Sequence, residues 1–189
     1  MRKTDIAAIA LAGAALLAAP ATAPGQTVDE EITKATMAAP AALRANATVL
    51  RLAPDGAETV LREGSNGLIC WDRSDEPSRE FAVQCTSEGN LARVKQNRAW
   101  AMSNMSADEL RETRDAAEAD GSREVSEFGS VYYSLNGADA ESANLHTTIA
   151  VPFATAESLG LPDAGSYTQA GTWIMEAGMS AAHIMLPGQ

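Results

Sequence analysis

Two cysteines fifteen residues apart constrain this chain more than any other feature. They lie within residues 61–85, L-R-E-G-S-N-G-L-I-C-W-D-R-S-D-E-P-S-R-E-F-A-V-Q-C. Gly64 and Gly67 flank Asn66 and supply backbone conformations that a side chain resists, so the stretch reads as a tight, irregular loop where strand-like sequence passes into helix-like sequence. A bond between Cys70 and Cys85 would close a loop of about 15 residues and, on the chain-entropy account, stabilise the fold by ~3 kcal/mol. That rivals a large part of a domain's net stability of about 5–15 kcal/mol. The competing state is two buried thiols, and the redox compartment decides between them.

The compartment is read from the N-terminus. Arg2 and Lys3 precede an unbroken run of Ala, Ile, Leu and Gly over residues 6–19, and small residues follow at Ala19, Ala21 and Ala23. A basic start, a short apolar run and small residues make a secretory signal peptide over residues 1–23. The run is shorter than the ~20 residues of a membrane span, and no later stretch approaches that length. The expected product, residues 24–189, is one exported globular domain, periplasmic or secreted, where disulfides persist. Loss of the leader would remove Arg2, Lys3 and Asp5, leaving 12 basic and 24 acidic residues and a net charge of −12. Such a charge repels nucleic acid and anionic lipid heads, and favours solubility, cationic partners or metal ions.

Local patterns predict an α+β fold. Thr27 and Glu30 form a capping box that opens a helix running to about residue 38, and Pro40 suits the first turn of a second short helix. Residues 47–53 and 57–62 are β-branched and alternating, and Pro54-Asp55-Gly56 between them signals a hairpin. Residues 90–101 follow helical spacing. Ser106 and Glu109 form a second capping box, opening a charged helix that ends before Gly121, with Arg111–Asp115 and Arg114–Glu118 at i,i+4. Residues 131–135, 145–151, 172–176 and 182–186 read as strands, the last two as a second hairpin. These elements predict a mostly antiparallel sheet with the N-terminal and mid-chain helices packed on one side.

No Gly-rich phosphate loop, G-x-S-x-G elbow, H-E-x-x-H or C-x-x-C is present, so the chain offers no motif that names an activity. The histidines are the candidates that remain. Alternation puts His146 with Thr148, and His183 with Met185, on the less apolar faces of their strands. If those strands are neighbours, His146 and His183 could share zinc or copper, with Met175, Met185 or Glu176 as further ligands. Either histidine could equally serve as the base of a hydrolase. Trp71 and Trp173 are the candidate ligand-binding aromatics.

Residues 38–52, 61–72, 148–162 and 171–187, which include A-N-A-T-V-L-R-L, G-S-N-G-L-I-C-W-D and G-T-W-I-M-E-A-G-M-S-A-A-H-I-M-L-P, resemble a family of small exported bacterial proteins to which no activity is assigned. The resemblance spans the first and last thirds of the expected mature chain and implies export and one domain; residues 79–129 depart from it in length and charge. Two functions of different class follow. The first is an exported, non-catalytic binding or interaction module of the cell envelope, which needs no cofactor and takes a small ligand or an envelope protein. The second is a metal-dependent or hydrolytic enzyme using His146 and His183.

Overall fold

A computed structural model describes residues 26–165 and 171–186; the signal peptide expected over residues 1–23 lies outside them. The described residues build an eight-stranded sheet in the order β2-β1-β3-β4-β5-β6-β8-β7. Its strands are β1 Thr48–Leu52, β2 Glu58–Arg62, β3 Leu68–Asp72, β4 Phe81–Ser87, β5 Val131–Gly137, β6 Asn144–Ala150, β7 Trp173–Met175 and β8 His183–Leu186. Every neighbouring pair is antiparallel except β1 with β3. The expected α+β class with a mostly antiparallel sheet therefore holds.

The parallel pair follows from how the chain leaves the first hairpin. Gly56 takes φ +85° in the turn, the Asp55 side chain accepts from the Ala57 amide at 3.0 Å, and β2 returns beside β1. The chain then passes under the first residue of β1 to reach its other edge. Gly64 sits at that crossing: a Cβ there would lie 2.2 Å from the Thr48 nitrogen and 2.5 Å from the Asn46 oxygen. Its amide donates to Thr48 Oγ1 at 3.0 Å. Gly64 is thus required by backbone proximity, whereas Gly67 is required by its φ of +70° with open space around it.

Residues 61–85 are not the irregular loop their glycines suggest. They supply β3 and most of β4, with Cys70 directly opposite Cys85 in register. The disulfide is formed, with an S–S distance of 2.06 Å and Cα atoms 4.0 Å apart. Both strands are buried along nearly their whole length. A strand covered on both faces reads as a continuous apolar run without alternation, which is why β3 escapes a period-2 search.

That double burial also distributes the helices. Helix α1 (Val28–Ala35) and the 3-10 turn Thr36–Ala38 bring Ala35, Ala38 and Ala39 against Val49, Cys70, Val83 and Cys85. Helix α2 (Ala41–Arg44) follows them as a single turn. The opposite face presents Leu50, Leu52, Ile69 and Trp71, packed under Val94 and Leu91 of helix α3 (Leu91–Ala101). Consecutive apolar residues in β1 and β3 demand cover on both sides, so the helices divide between the faces and do not share one side. Helix α4 (Ala107–Asp120) follows α3, capped by Ser106 and Gly121 as its residues predict, and helix α5 (Ala156–Leu159) closes the β7–β8 end against Val151, Ile174 and Ile184.

Candidate functional site

The row of residues across the sheet beginning at Leu50 shows where the core stops. Leu50 pairs with Trp71, Trp71 with Gln84, Gln84 with Ser134 and Ser134 with His146. The first two lie under α3; the last three are polar. The next row runs Thr86, Tyr132, Thr148, Met185 and Trp173, and the third pairs Ala150 with His183 and His183 with Met175. On this polar half α4 and the residues after it stand off the sheet, and a cleft of about 710 Å³ opens between them. That volume falls within the ~300–1,000 Å³ typical of small-molecule sites.

The sheet side of the cleft is built from Gln84, Tyr132, Ser134, His146, Thr148 and His183. Gln84 Nε2 donates to Ser134 Oγ at 2.8 Å, while Gln84 Oε1 accepts from Arg73 at 2.9 Å, so the amide is oriented from behind. His183 Nδ1 lies 2.7 Å from the Ala181 carbonyl. A carbonyl can only accept, so Nδ1 carries the proton and Nε2 keeps the lone pair in the neutral ring. Burial, and then the nearby His183, pull the His146 imidazole below its ordinary range. Burial pushes the Tyr132 phenol up.

Four arginines line the same cleft: Arg93 from α3, Arg111 and Arg114 from α4, and Arg123 just after α4. Arg93 is 5 % exposed and Arg123 8 %. Arg93 donates to the Glu124 carbonyl and, at 3.1 Å, to Ser180 Oγ. Arg123 donates to Gln96 Oε1 at 2.5 Å and Asn97 Oδ1 at 2.7 Å and stacks 4.5 Å from the Trp100 ring centroid. Burial first, then the neighbouring Arg93 and Arg114, lower the Arg123 guanidinium to about 10. The helix pairs expected at Arg111–Asp115 and Arg114–Glu118 do not form. Arg111 bonds Asp108 at 2.9 Å instead, and Glu118 accepts from the Ser180 amide at 3.2 Å and from its hydroxyl.

The four residues singled out from sequence all reach this face of the sheet, with different surroundings. His146 and His183 line the cleft on neighbouring strands. They stand four residues apart in register, about 13 Å along the strands at ~3.4 Å per residue, with Met185 in the row between. A metal held by both would need each ring to lean toward that row. Among the described residues no three His, Cys, Asp or Glu side chains gather as a metal-binding group. Trp71, 1 % exposed, is core under α3, and Trp173 is buried with its ring against Gly165. Neither is among the described residues that line the cleft, so the aromatic ligand platform expected from them is replaced by Tyr132 and polar side chains.

Two other hollows are less suited to a ligand. One of about 190 Å³ beside α1 is bridged by the 2.6 Å Arg51–Glu31 ion pair. Another, of about 540 Å³, is an open groove at residues 78–81 and 136–138. Sequence reading missed the arginines because Arg93 and Arg123 are charged residues in buried places, and periodicity assigns charge to the solvent side. Among the described residues no helix is long and apolar enough to cross a membrane. No family model, curated protein or solved structure matches the chain.

Proposed function

We propose that this protein is an exported, non-catalytic binding module, periplasmic or secreted, that receives a small ligand in the cleft between α3, α4 and the polar half of the sheet. The observation that carries the reading is convergence. A hollow of about 710 Å³ gathers oriented hydrogen-bonding groups from β4, β5, β6 and β8 and charged groups from α3 and α4. A packed core would have no use for Ser134, His146 and Gln84 in one row, and a solvated surface would not orient Gln84 through Arg73. The disulfide between β3 and β4 fits export and fixes the central strands on which the cleft wall is hung.

The test is a thermal-shift screen of the exported protein against small metabolites, with Leu110→Trp as the control that fills the cleft from α4. A ligand at about 100 times its Kd adds about 2.7 kcal/mol of apparent stability. The stabilisation should vanish in Leu110→Trp while that variant's own melting stays close to wild type. A ligand whose effect survives the tryptophan binds elsewhere and removes the cleft from consideration. Intact mass of the exported form should place its first residue between Thr22 and Thr27; a mass that still includes residues 1–19 defeats the export reading.

A second reading is a hydrolase using His146 and His183. It is favoured by the His183 hydrogen bond to Ala181, which presents Nε2 as an acceptor. Turnover of simple esters that is lost in His183→Gln would raise this reading above the first.

A further inference from the structure

Resting on the reading of the cleft as a binding site, we infer that it recognises the oxyanion of a small organic acid, with Arg114 as the contacting guanidinium and Arg93 and Arg123 behind it. Elsewhere in this chain a buried arginine faces a carboxylate. Arg98, as deeply buried as Arg93, bonds Asp75 at 2.5 Å and lies 3.5 Å from Glu76. Arg73 and Arg79 both bond Glu76, at 2.7 and 3.0 Å. In each case a carboxylate stands against the charge. Arg93 and Arg123, by contrast, are satisfied only by neutral oxygens of Glu124, Ser180, Gln96 and Asn97. Their hydrogen bonds go to neutral groups, and the carboxylates that offset their charge, Glu118 for both and Glu124 for Arg93, act from beyond ion-pair distance.

Arg114 completes the imbalance. Its i,i+4 partner Glu118 is taken by Ser180, and the exposed Arg114 guanidinium makes no hydrogen bond or ion pair with any described residue. It is close enough to Arg93 and Arg123 to depress both guanidiniums. Arg93, Arg114 and Arg123 repel one another with Glu118 as the carboxylate among them, and a further anion entering the cavity stabilises all three. The carboxylates that also line the cleft are Asp115, Glu118 and Glu176; Glu118 is half-buried and bonded to Ser180, while Asp115 and Glu176 are exposed, as Arg111 and Arg114 are. A guanidinium offers two parallel N–H donors, which suits the paired oxygens of a carboxylate or phosphate. Leu110 and Met179 line the cleft beside these groups and suit an apolar body attached to the oxyanion.

The experiment titrates the full oxidised chain with phenylacetate, phenyl phosphate, inorganic phosphate, benzylamine and glucose, followed by calorimetry and amide chemical shifts. Phenylacetate or phenyl phosphate should bind, and whichever binds more tightly separates carboxylate from phosphate recognition. Arg114→Gln should weaken that binding at least about tenfold, as loss of a charge-assisted contact does, while the unliganded melting temperature stays level or rises as repulsion is relieved. Arg114→Lys should recover only part, because an ammonium lacks the paired donors. Raising salt from about 20 to about 500 mM should weaken binding further. If benzylamine or glucose binds in a manner blocked by Leu110→Trp while the organic anions do not, the oxyanion inference fails and the cleft reading stands. Inorganic phosphate binding as tightly as phenyl phosphate overturns the organic acid. If no probe binds, both readings are overturned.

Discussion

Replacing Glu76 by Gln should cost this fold about 3 kcal/mol, through charge alone. Glu76 is 4 % exposed and accepts from Arg73 Nε at 2.9 Å and Nη2 at 2.7 Å, and from Arg79 Nε at 3.0 Å, with Arg98 Nη1 at 3.5 Å. The amide keeps the side chain's shape but removes the one carboxylate that these three guanidiniums share, and turns an N–H group toward a cation. Removing one partner of a buried ion pair costs ~3–5 kcal/mol. The lower end applies here, because Arg98 keeps Asp75 and Arg79 is about a third exposed, so that solvent screens its share to ~0–1 kcal/mol. For a domain of this size, ~3 kcal/mol lowers the melting temperature by roughly 6–12 °C. Urea unfolding followed by circular dichroism at neutral pH measures it, with Arg79→Gln as a control expected to lose less than ~1 kcal/mol. A loss under ~1 kcal/mol for Glu76→Gln at unchanged m-value would mean that solvent already screens the cluster, and the reasoning fails.

Three further outcomes are expected. The double variant Cys70→Ala, Cys85→Ala should lose about 3 kcal/mol, the chain-entropy value for a 15-residue loop, read by the same unfolding; a loss near zero would mean the register of β3 and β4 holds without the bond. Gly64→Ala should fall at the upper end of the ~1–3 kcal/mol typical of overpacking, because backbone atoms leave no room, and Gly67→Ala should cost only ~1–2 kcal/mol for its left-handed backbone; Asn, which tolerates that conformation, should be accepted at 67 and rejected at 64. For His146 the folded imidazole is held below the unfolded value of 6.5, so the unfolded chain binds the extra proton first, and stability should fall as pH drops below 6.5 toward the folded value. His183, Arg93, Arg114, Tyr132, Asp115, Glu118 and Glu176 share the cleft, so the imidazole must be followed directly by NMR; a midpoint above 6.5, or an unchanged pH profile in His146→Gln, contradicts the assignment.

Legibility followed the range of the interaction. The capping boxes at Thr27 and Ser106 and the turn at Gly56 are decided within a few residues, and each forms as its residues predict. Strand β3 depends on neighbours far along the chain, and its burial on both faces erased the alternation that would have revealed it. Gly64 shows the same limit at one residue. Its presence announced a special backbone, but the reason is the nearby passage of residues 46–48, which no local rule contains. The pair Arg114–Glu118 failed likewise, because a serine 62 residues away competes for the carboxylate.

Alternation did put His146 and His183 on the face that lines the cleft, since parity is a property of each strand alone. Parity cannot say which row a residue joins or what covers that row. Trp71 and His146 share one row, yet one lies beneath α3 and the other lines an open cleft. The change from Leu50 and Trp71 to Gln84, Ser134 and His146 becomes visible only once the strand order is known. Charge is averaged for a related reason. A net charge of −11 points toward cationic partners, but a ligand in a cleft feels mainly charges within a Debye length of ~8–10 Å. There the chain places four of its arginines beside three carboxylates, and the two buried arginines have no carboxylate at ion-pair distance. The sign of a site is set by placement, and composition averages placement away.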